Sequence, residues 1–266
     1  MKRIIKLSLI GAFFVSLFSP AEIDKKELLT KIAEKYKNLK SISGRAELNM
    51  LMMGNVVKIP VFFWKEGKKT KMKMVMYQPG MPEPMEQIML FDGKKMMQYQ
   101  KISNTVIIID FTKLPEDMKN RIKNQQGLSS LEDFTPKFEK YLEKISVGEK
   151  KIKGKSFYVI TVNDLQSIGV NSNIPMKQNM PESFFKKVDF WIEKNSYLPF
   201  KIELFGETET PGLTVKFFEV KTDPIPPEVF KIEIPEDAKI IDMTEMMIKM
   251  AENLKKFQEE ENIENQ

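Results

Sequence analysis

Met72, Met74 and Met76 alternate with Lys71, Lys73 and Val75, so in an extended chain the three thioethers share one face. Met50 and Met52 repeat the arrangement earlier, Met96 and Met97 lie in a later apolar run, and Met81 and Met85 sit in the Pro-rich stretch 78–87. Eleven of the nineteen methionines fall between Met50 and Met97. Methionine is unbranched and polarisable, and apolar surfaces that adapt to their ligands use it heavily. Cores that specify one packing favour Leu, Ile and Val instead. The chemistry on offer is non-covalent: a deformable apolar cavity for flexible hydrocarbon, such as acyl chains. An ordinary core rich in Met gives the same pattern, and composition alone does not separate the two.

Other chemistries are excluded by residue type. The chain has no His and no Cys. The commonest general base and metal ligand are therefore missing, and a Ser-His or Cys-His nucleophile pair is impossible. No acidic pair stands out as the two carboxylates of a glycosidase. No catalytic residue, metal site or cofactor is expected. The net charge is +5, of which Lys2, Arg3 and Lys6 supply three, leaving +2. Beyond residue 21 only Arg45 and Arg121 are arginine, with no concentrated basic stripe, so nucleic acid is not an expected partner. Lys68, Lys69, Lys71 and Lys73 read as a solvated face, with a docking patch for anionic lipid as the lesser reading.

The elements that must position the methionines follow from periodicity. Residues 22–39 read as a helix, capped by Asp24 with Glu27 in capping-box spacing and with Leu28, Ile32, Tyr36 and Leu39 on one face. The period then changes to two. Strands are expected at 45–53, 56–65, 70–77, 85–91, 95–100 and 105–111, with Gly54-Asn55 and Asp92-Gly93 as hairpin turns. A helical insert follows: one helix starts at Pro115 and carries Leu114, Met118 and Ile122, and a second starts at Thr135-Pro136 and runs through Ile145. Further strands are expected at 146–150, 155–163, 186–193, 200–205 and 213–220, with a polar loop over 164–183 and a short helical turn at Pro226–Phe230. A last helix places Met243, Met246, Met247, Met250, Leu254 and Phe257 on one face, either packed or acting as a mobile lid. The fold class is mainly β: one antiparallel sheet of about ten strands, which should curl at that size.

Residues 1–21 read as a cleavable export signal. Lys2, Arg3 and Lys6 precede twelve uncharged, mostly apolar residues, Leu7–Phe18, and Ser19-Pro20-Ala21 sets small residues for a cut after Ala21. Twelve apolar residues are too few for a spanning helix, which needs about 20. Cleavage leaves Glu22 first, so the cysteine on which bacterial lipoproteins are acylated is missing there. Residues 22–258 are expected to form a single domain, with 259–266 a frayed acidic tail.

Four segments in order carry a family resemblance. Helix 24–39 leading into Ile42-Ser43-Gly44-Arg45-Ala46, the run 90–99 around Asp92-Gly93, the run 188–202 around Asn195-Ser196, and Pro226 to Ile241 are similar to the corresponding stretches of the LolA/LolB-type lipoprotein carriers. The resemblance implies an unclosed antiparallel β-barrel with helices covering its concave apolar face. It implies a periplasmic, monomeric, non-enzymatic carrier that shields acyl chains of lipoproteins or lipids on their way to the outer membrane. Membrane donor and acceptor proteins would be its partners. The cavity would be lined by Met50, Met52, Phe63, Met72, Met74, Met76, Leu90, Met97, Ile108, Phe190, Ile192, Ile202 and Leu204, with Met246, Met247 and Met250 as a possible lid. Where typical carriers have an arginine before a proline that governs release, this chain has Lys65-Glu66-Gly67, so no release residue is assigned. The alternatives are an RseB-like envelope-stress sensor on the same fold and a ligand-free structural envelope protein.

Overall fold

The structure is a computed structural model, and it describes residues 23–52, 55–77, 83–116, 118–119, 142–165, 185–249 and 252–253. The export segment, most of the helical insert, loop 166–184 and the end of the last helix lie outside the described residues.

Helix α1 spans Lys25–Lys37. Asp24 caps it as its sequence demands: the carboxylate accepts the Glu27 N–H at 3.0 Å. Leu28, Leu29 and Ile32 are its buried stripe. The strands are β1 (Ser41–Met52), β2 (Asn55–Glu66), β3 (Lys69–Met76), β4 (Met85–Phe91), β5 (Lys95–Gln100), β6 (Thr105–Asp110), β7 (Ile145–Ile152), β8 (Lys155–Asn163), β9 (Lys187–Glu193), β10 (Pro199–Phe205), β11 (Pro211–Lys221) and β12 (Lys239–Asp242). They form one twelve-stranded sheet in the order β12-β6-β5-β4-β3-β2-β1-β11-β10-β9-β8-β7. Two antiparallel meanders, β1–β6 and β7–β11, are thus welded edge to edge by the long-range pairing of β1 with β11. The outermost strands β7 and β12 do not pair with each other, so the barrel is unclosed.

Three sequence expectations change. The sheet has twelve strands where about ten were expected, and β12 was not foreseen. It pairs in parallel with β6 after a chain crossing, and four residues carry too little periodicity to announce a strand. Ile145, expected to close a helix, begins β7 directly after a 3-10 turn at Leu142–Lys144. Met243 precedes the last helix rather than opening it. Its N–H donates to the Ile108 carbonyl at 2.9 Å, continuing the β12–β6 ladder, and helical residues begin at 244.

Turn chemistry explains the hairpins. The Asp92 carboxylate accepts the N–H groups of Lys94 at 2.8 Å and Lys95 at 2.7 Å, and Gly93 takes the left-handed conformation (φ 96°) that this tight reversal needs. A bulge marks the weld. Between Ser43 and Arg45 the β1–β11 register shifts, and Glu219 opposite it is left-handed (φ 53°). Gly44 sits at that bulge because a Cβ there would come within 3.2 Å of both the Phe218 carbonyl oxygen and the Val220 Cα.

Candidate functional site

Directly opposed residues of an antiparallel pair share a face, so register traces each face across the sheet. We call the face covered by α1 the inner one. In the β7–β11 half it carries Ile145, Ile160, Val162, Val188, Ile192 and Leu213, which with Met50 of β1 form one buried cluster with Leu28, Leu29 and Ile32 of α1. Leu48, Phe190, Ile202 and Leu204 pack against the same cluster.

The inner face continues past β1 into the other half. Met50 opposes Val57, Leu48 opposes Ile59 and Gly44 opposes Phe63. Phe63 opposes Met72 and Val61 opposes Met74. Met72 opposes Met89 and Met76 opposes Met85. The row then runs to Phe91 and Met96, and from there to Ile109. Beyond β1, where Ala46 and Met50 are buried, this surface is half-buried except at Ile59, and the buried cluster under α1 does not extend past β1. It is a largely apolar wall in which methionine recurs on β1, β3, β4 and β5, interrupted by the polar side chains of Gln87, Gln98 and Gln100. A wall of this kind offers hydrocarbon contact by area and shape rather than directed polar groups.

The register sorts the residues singled out from sequence. Met50, Phe63, Met72, Met74, Met76, Phe190, Ile192, Ile202 and Leu204 fall on the inner face. Met52, opposite Asn55, shares their backbone parity. Leu90, Met97 and Ile108 oppose one another and fall on the outer face. There Leu90 belongs to a second cluster with Ile225 and Phe230, against which Trp64 and Met97 pack. This part of the expected lining is corrected. β4, β5 and β6 carry both apolar and polar residues on each side, so alternation did not say which side faces in. The inner residues missed there are Met85, Met89, Phe91, Met96, Ile107 and Ile109. The hairpin at Asp92 held the signal: once one strand's face is known, the turn fixes its partner's.

A strap covers the outer cluster. After β11 the chain crosses back over β2–β5 through the 3-10 turn Pro227–Phe230. Its anchors are Ser41 Oγ, which donates to the carbonyls of Thr222 (3.1 Å) and Asp223 (2.7 Å), and the Ile225 N–H, which donates to Glu66 Oε1 at 3.3 Å. Lys71 Nζ donates to the Lys231 carbonyl at 2.7 Å and lies over the Trp64 ring. Burial there holds the Lys71 ammonium below its ordinary pKa. Lys69 sits over the Phe230 ring, and Lys73 pairs with Glu86 at 2.8 Å. These lysines stitch the outer face together. Trp191 also points outward, its indole N–H donating to Glu203 at 2.8 Å under the Lys201 ammonium.

Of the lid residues, Met246 is exposed and Met247 is half-buried, its N–H bonded to the Met243 carbonyl at 3.0 Å; Met250 lies outside the described side chains. The helix they start is pinned at its base by Thr244, whose hydroxyl accepts the Asp110 N–H at 2.9 Å.

Two buried side-chain polar atoms lack a hydrogen-bond partner among the described residues: the Tyr36 hydroxyl and the Asn49 amide oxygen. Asn49 opposes Lys58 and lies on the outer face. Tyr36 follows Ile32 on the buried stripe of α1 and packs against the inner cluster. Burial alone pushes its hydroxyl pKa well above the ordinary range.

An unclosed antiparallel barrel, with a helix over half of its inner face and a methionine wall on the rest, defines the class of fold. No model of a known family matches the chain, and no curated protein matches it in sequence. Solved structures are similar to it. An uncharacterised conserved protein from Thermus thermophilus aligns at 10% identity over 80% of this chain and 98% of that one, with a TM-score of 0.50. A chain of the Pseudomonas aeruginosa MucA/MucB complex aligns at 11% identity over 79% of this chain and 62% of that one, with a TM-score of 0.42. A LolA superfamily protein from Nitrosomonas europaea aligns at 12% identity over 77% and 97%, with a TM-score of 0.31. At these identities the likeness concerns the fold. No helix among the described residues is long and apolar enough to cross a membrane, which leaves strands unaddressed.

Proposed function

We propose that this chain is a periplasmic carrier that holds the acyl chains of a lipoprotein or lipid against the inner face and moves them toward the outer membrane. One observation carries the reading. The inner face of β2–β6 is largely apolar, rich in methionine and, Ile59 apart, half-buried, with Gln87, Gln98 and Gln100 among its side chains, while the same face of β7–β11 is sealed by α1. Each CH₂ group removed from water contributes roughly 0.8 kcal/mol, so a long acyl chain brings on the order of 10 kcal/mol gross, reduced by the cost of ordering both partners. Free transfer of such a chain through water is therefore prohibitive. A soft wall that binds without close shape-matching favours release as well as capture. The segment before Glu22 supports export, and Glu22 in place of an acylatable cysteine fits a diffusible protein. The site performs no covalent step.

The test is to purify the chain from its native envelope, extract it, and look for acyl-bearing molecules by mass spectrometry, with uptake of a fluorescent fatty-acid probe alongside. Stoichiometric acyl ligand and probe uptake are expected. Neither ligand nor uptake would refute the carrier reading and leave a ligand-free envelope protein.

A further inference from the structure

The hairpin of β7 and β8 runs out past the rest of the sheet. Its ladder continues to Ile152 opposite Lys155, whereas β9 pairs with β8 only from Phe157 onward. Lys153 and Gly154 are both left-handed (φ 48° and 82°), closing the ribbon in a two-residue turn. Every residue from Gly148 to Ser156 is exposed, Lys150, Lys151, Lys153 and Lys155 among them. Lys155 pairs with Glu193 at 3.1 Å and Lys194 with Glu149 at 2.6 Å, while no carboxylate among the described residues pairs with Lys150, Lys151 or Lys153. The ribbon with Glu193 and Lys194 thus holds five lysines against two glutamates, a net +3, when the whole chain beyond residue 21 carries +2. Register sets the turns at Lys68, Lys94 and Lys194 at this same end of the sheet. The methionine wall reaches that end at Phe91 and Met96, beside the Lys94 turn. The opposite end carries Glu207 and Glu209 in the β10–β11 turn.

We propose that this basic end docks on an anionic phospholipid bilayer, with the β7–β8 ribbon as its main contact. The inference stands apart from the acyl reading: it names the surface on which the protein works, whatever the inner face holds. Lipid fits the ribbon better than a protein partner does. Protein interfaces favour arginine and aromatic anchors and are depleted in lysine, and residues 148–156 contain neither arginine nor an aromatic ring. Clustered lysines instead answer the diffuse negative potential of a lipid surface, each contributing about fivefold in affinity. Ile152, 37% exposed between Lys151 and Lys153, supplies an apolar contact that sinks to the headgroup level while the lysine stems lie along the interface. Lysines on an outermost strand also discourage pairing with another sheet edge, so the test separates docking from that role.

The chain, purified from its native envelope, is sedimented with vesicles of phosphatidylcholine alone or mixed equally with phosphatidylglycerol. Binding should need phosphatidylglycerol and fall as salt rises. The combined variant Lys150→Gln, Lys151→Gln, Lys153→Gln should lose on the order of a hundredfold in affinity for the mixed vesicles, without self-associating in light scattering. The combined variant Lys58→Gln, Lys101→Gln, Lys239→Gln removes the same charge from exposed positions at the other end and should bind as the wild type does. Equal losses in the two variants would reduce the effect to net charge. Equal wild-type binding to the neutral vesicles would move the contact to the opposite end, where Leu51, Val56 and Ile102 are exposed. Self-association of the ribbon variant with vesicle binding intact would make its lysines guards of the sheet edge. No binding to the mixed vesicles would leave an acidic protein as the ribbon's partner. Each of these four results overturns the proposal. Uptake of the fatty-acid probe, read in parallel, tests the carrier reading alone.

Discussion

Met74→Asp places a charge in the middle of the wall. Met74 lies on the inner face between Val61 of β2 and Gln87 of β4, and it is half-buried. In the empty protein an aspartate there still reaches water, so the fold should lose on the order of 1 kcal/mol. With hydrocarbon laid over the site, the carboxylate must either stay charged without water or take up a proton. Protonation sets the ceiling. At pH 7 an ordinary aspartate stands about three units above its pKa, at about 1.4 kcal/mol per unit, so the penalty reaches about 4 kcal/mol, roughly a thousandfold in affinity. The sign is fixed: covering the group raises its pKa, so binding is intact below the ordinary aspartate pKa and weakens as pH rises, by up to about tenfold per unit. The assay is a fluorescence titration with neutral N-phenylnaphthylamine between about pH 4 and about pH 7. Val75→Asp, one residue along and facing outward opposite Glu86, is the control and should bind as the wild type does. Equal affinity of Met74→Asp at neutral pH, or an equal loss in Val75→Asp, would show that the inner face is not the site.

Other variants test the frame that holds the wall. Gly44→Ala sets a methyl 2.9 Å from Phe63 Cζ and 3.2 Å from two backbone atoms. Overpacking at about 1–3 kcal/mol outweighs the roughly 0.4–1 kcal/mol gained by stiffening the unfolded chain, so the urea midpoint followed by Trp fluorescence should fall. Phe157→Ala empties a position that is 2% exposed, its ring centroid 4.4 Å from that of the tilted Phe200 ring, and it should cost about 3–5 kcal/mol in the same assay; a loss below about 1 kcal/mol would contradict the packing. Asp110 is held below its ordinary pKa, first by the Thr112 hydroxyl, then by the Thr112 N–H and Lys95. A lowered carboxyl pKa stabilises above the unfolded value and stops doing so as pH falls through the folded one. Asp110→Asn should therefore lower the neutral-pH midpoint and flatten its decline below about pH 4; parallel declines in the two proteins would refute the assignment.

Much of the sheet was legible because each hairpin carries its own instructions. β4, β5 and β8 begin and end where alternation and turn residues place them. Asp24 caps α1 through a contact that is wholly local. In β3 the lysines at 71 and 73 marked one face as polar, so Met72, Met74 and Met76 could be assigned together. That assignment could not be carried across residues 77–84 by counting, because a loop of that length does not fix register. Leu90, Met97 and Ile108 were grouped with residues of the opposite face for this reason.

The sequence by itself determined the first helix and most of the strand spans, the strip of methionines on β3 and the absence of His and Cys. These follow from local periodicity and residue chemistry, which need no distant partner. Only the tertiary structure decided that β1 pairs with β11, that β12 returns in parallel to β6, and that the strap at Phe230 claims the outer side of β4 and β5. Those strands carry large apolar residues on both sides, and which side stays open depends on what covers the other. That is settled by segments far apart in the chain, and no local pattern encodes it.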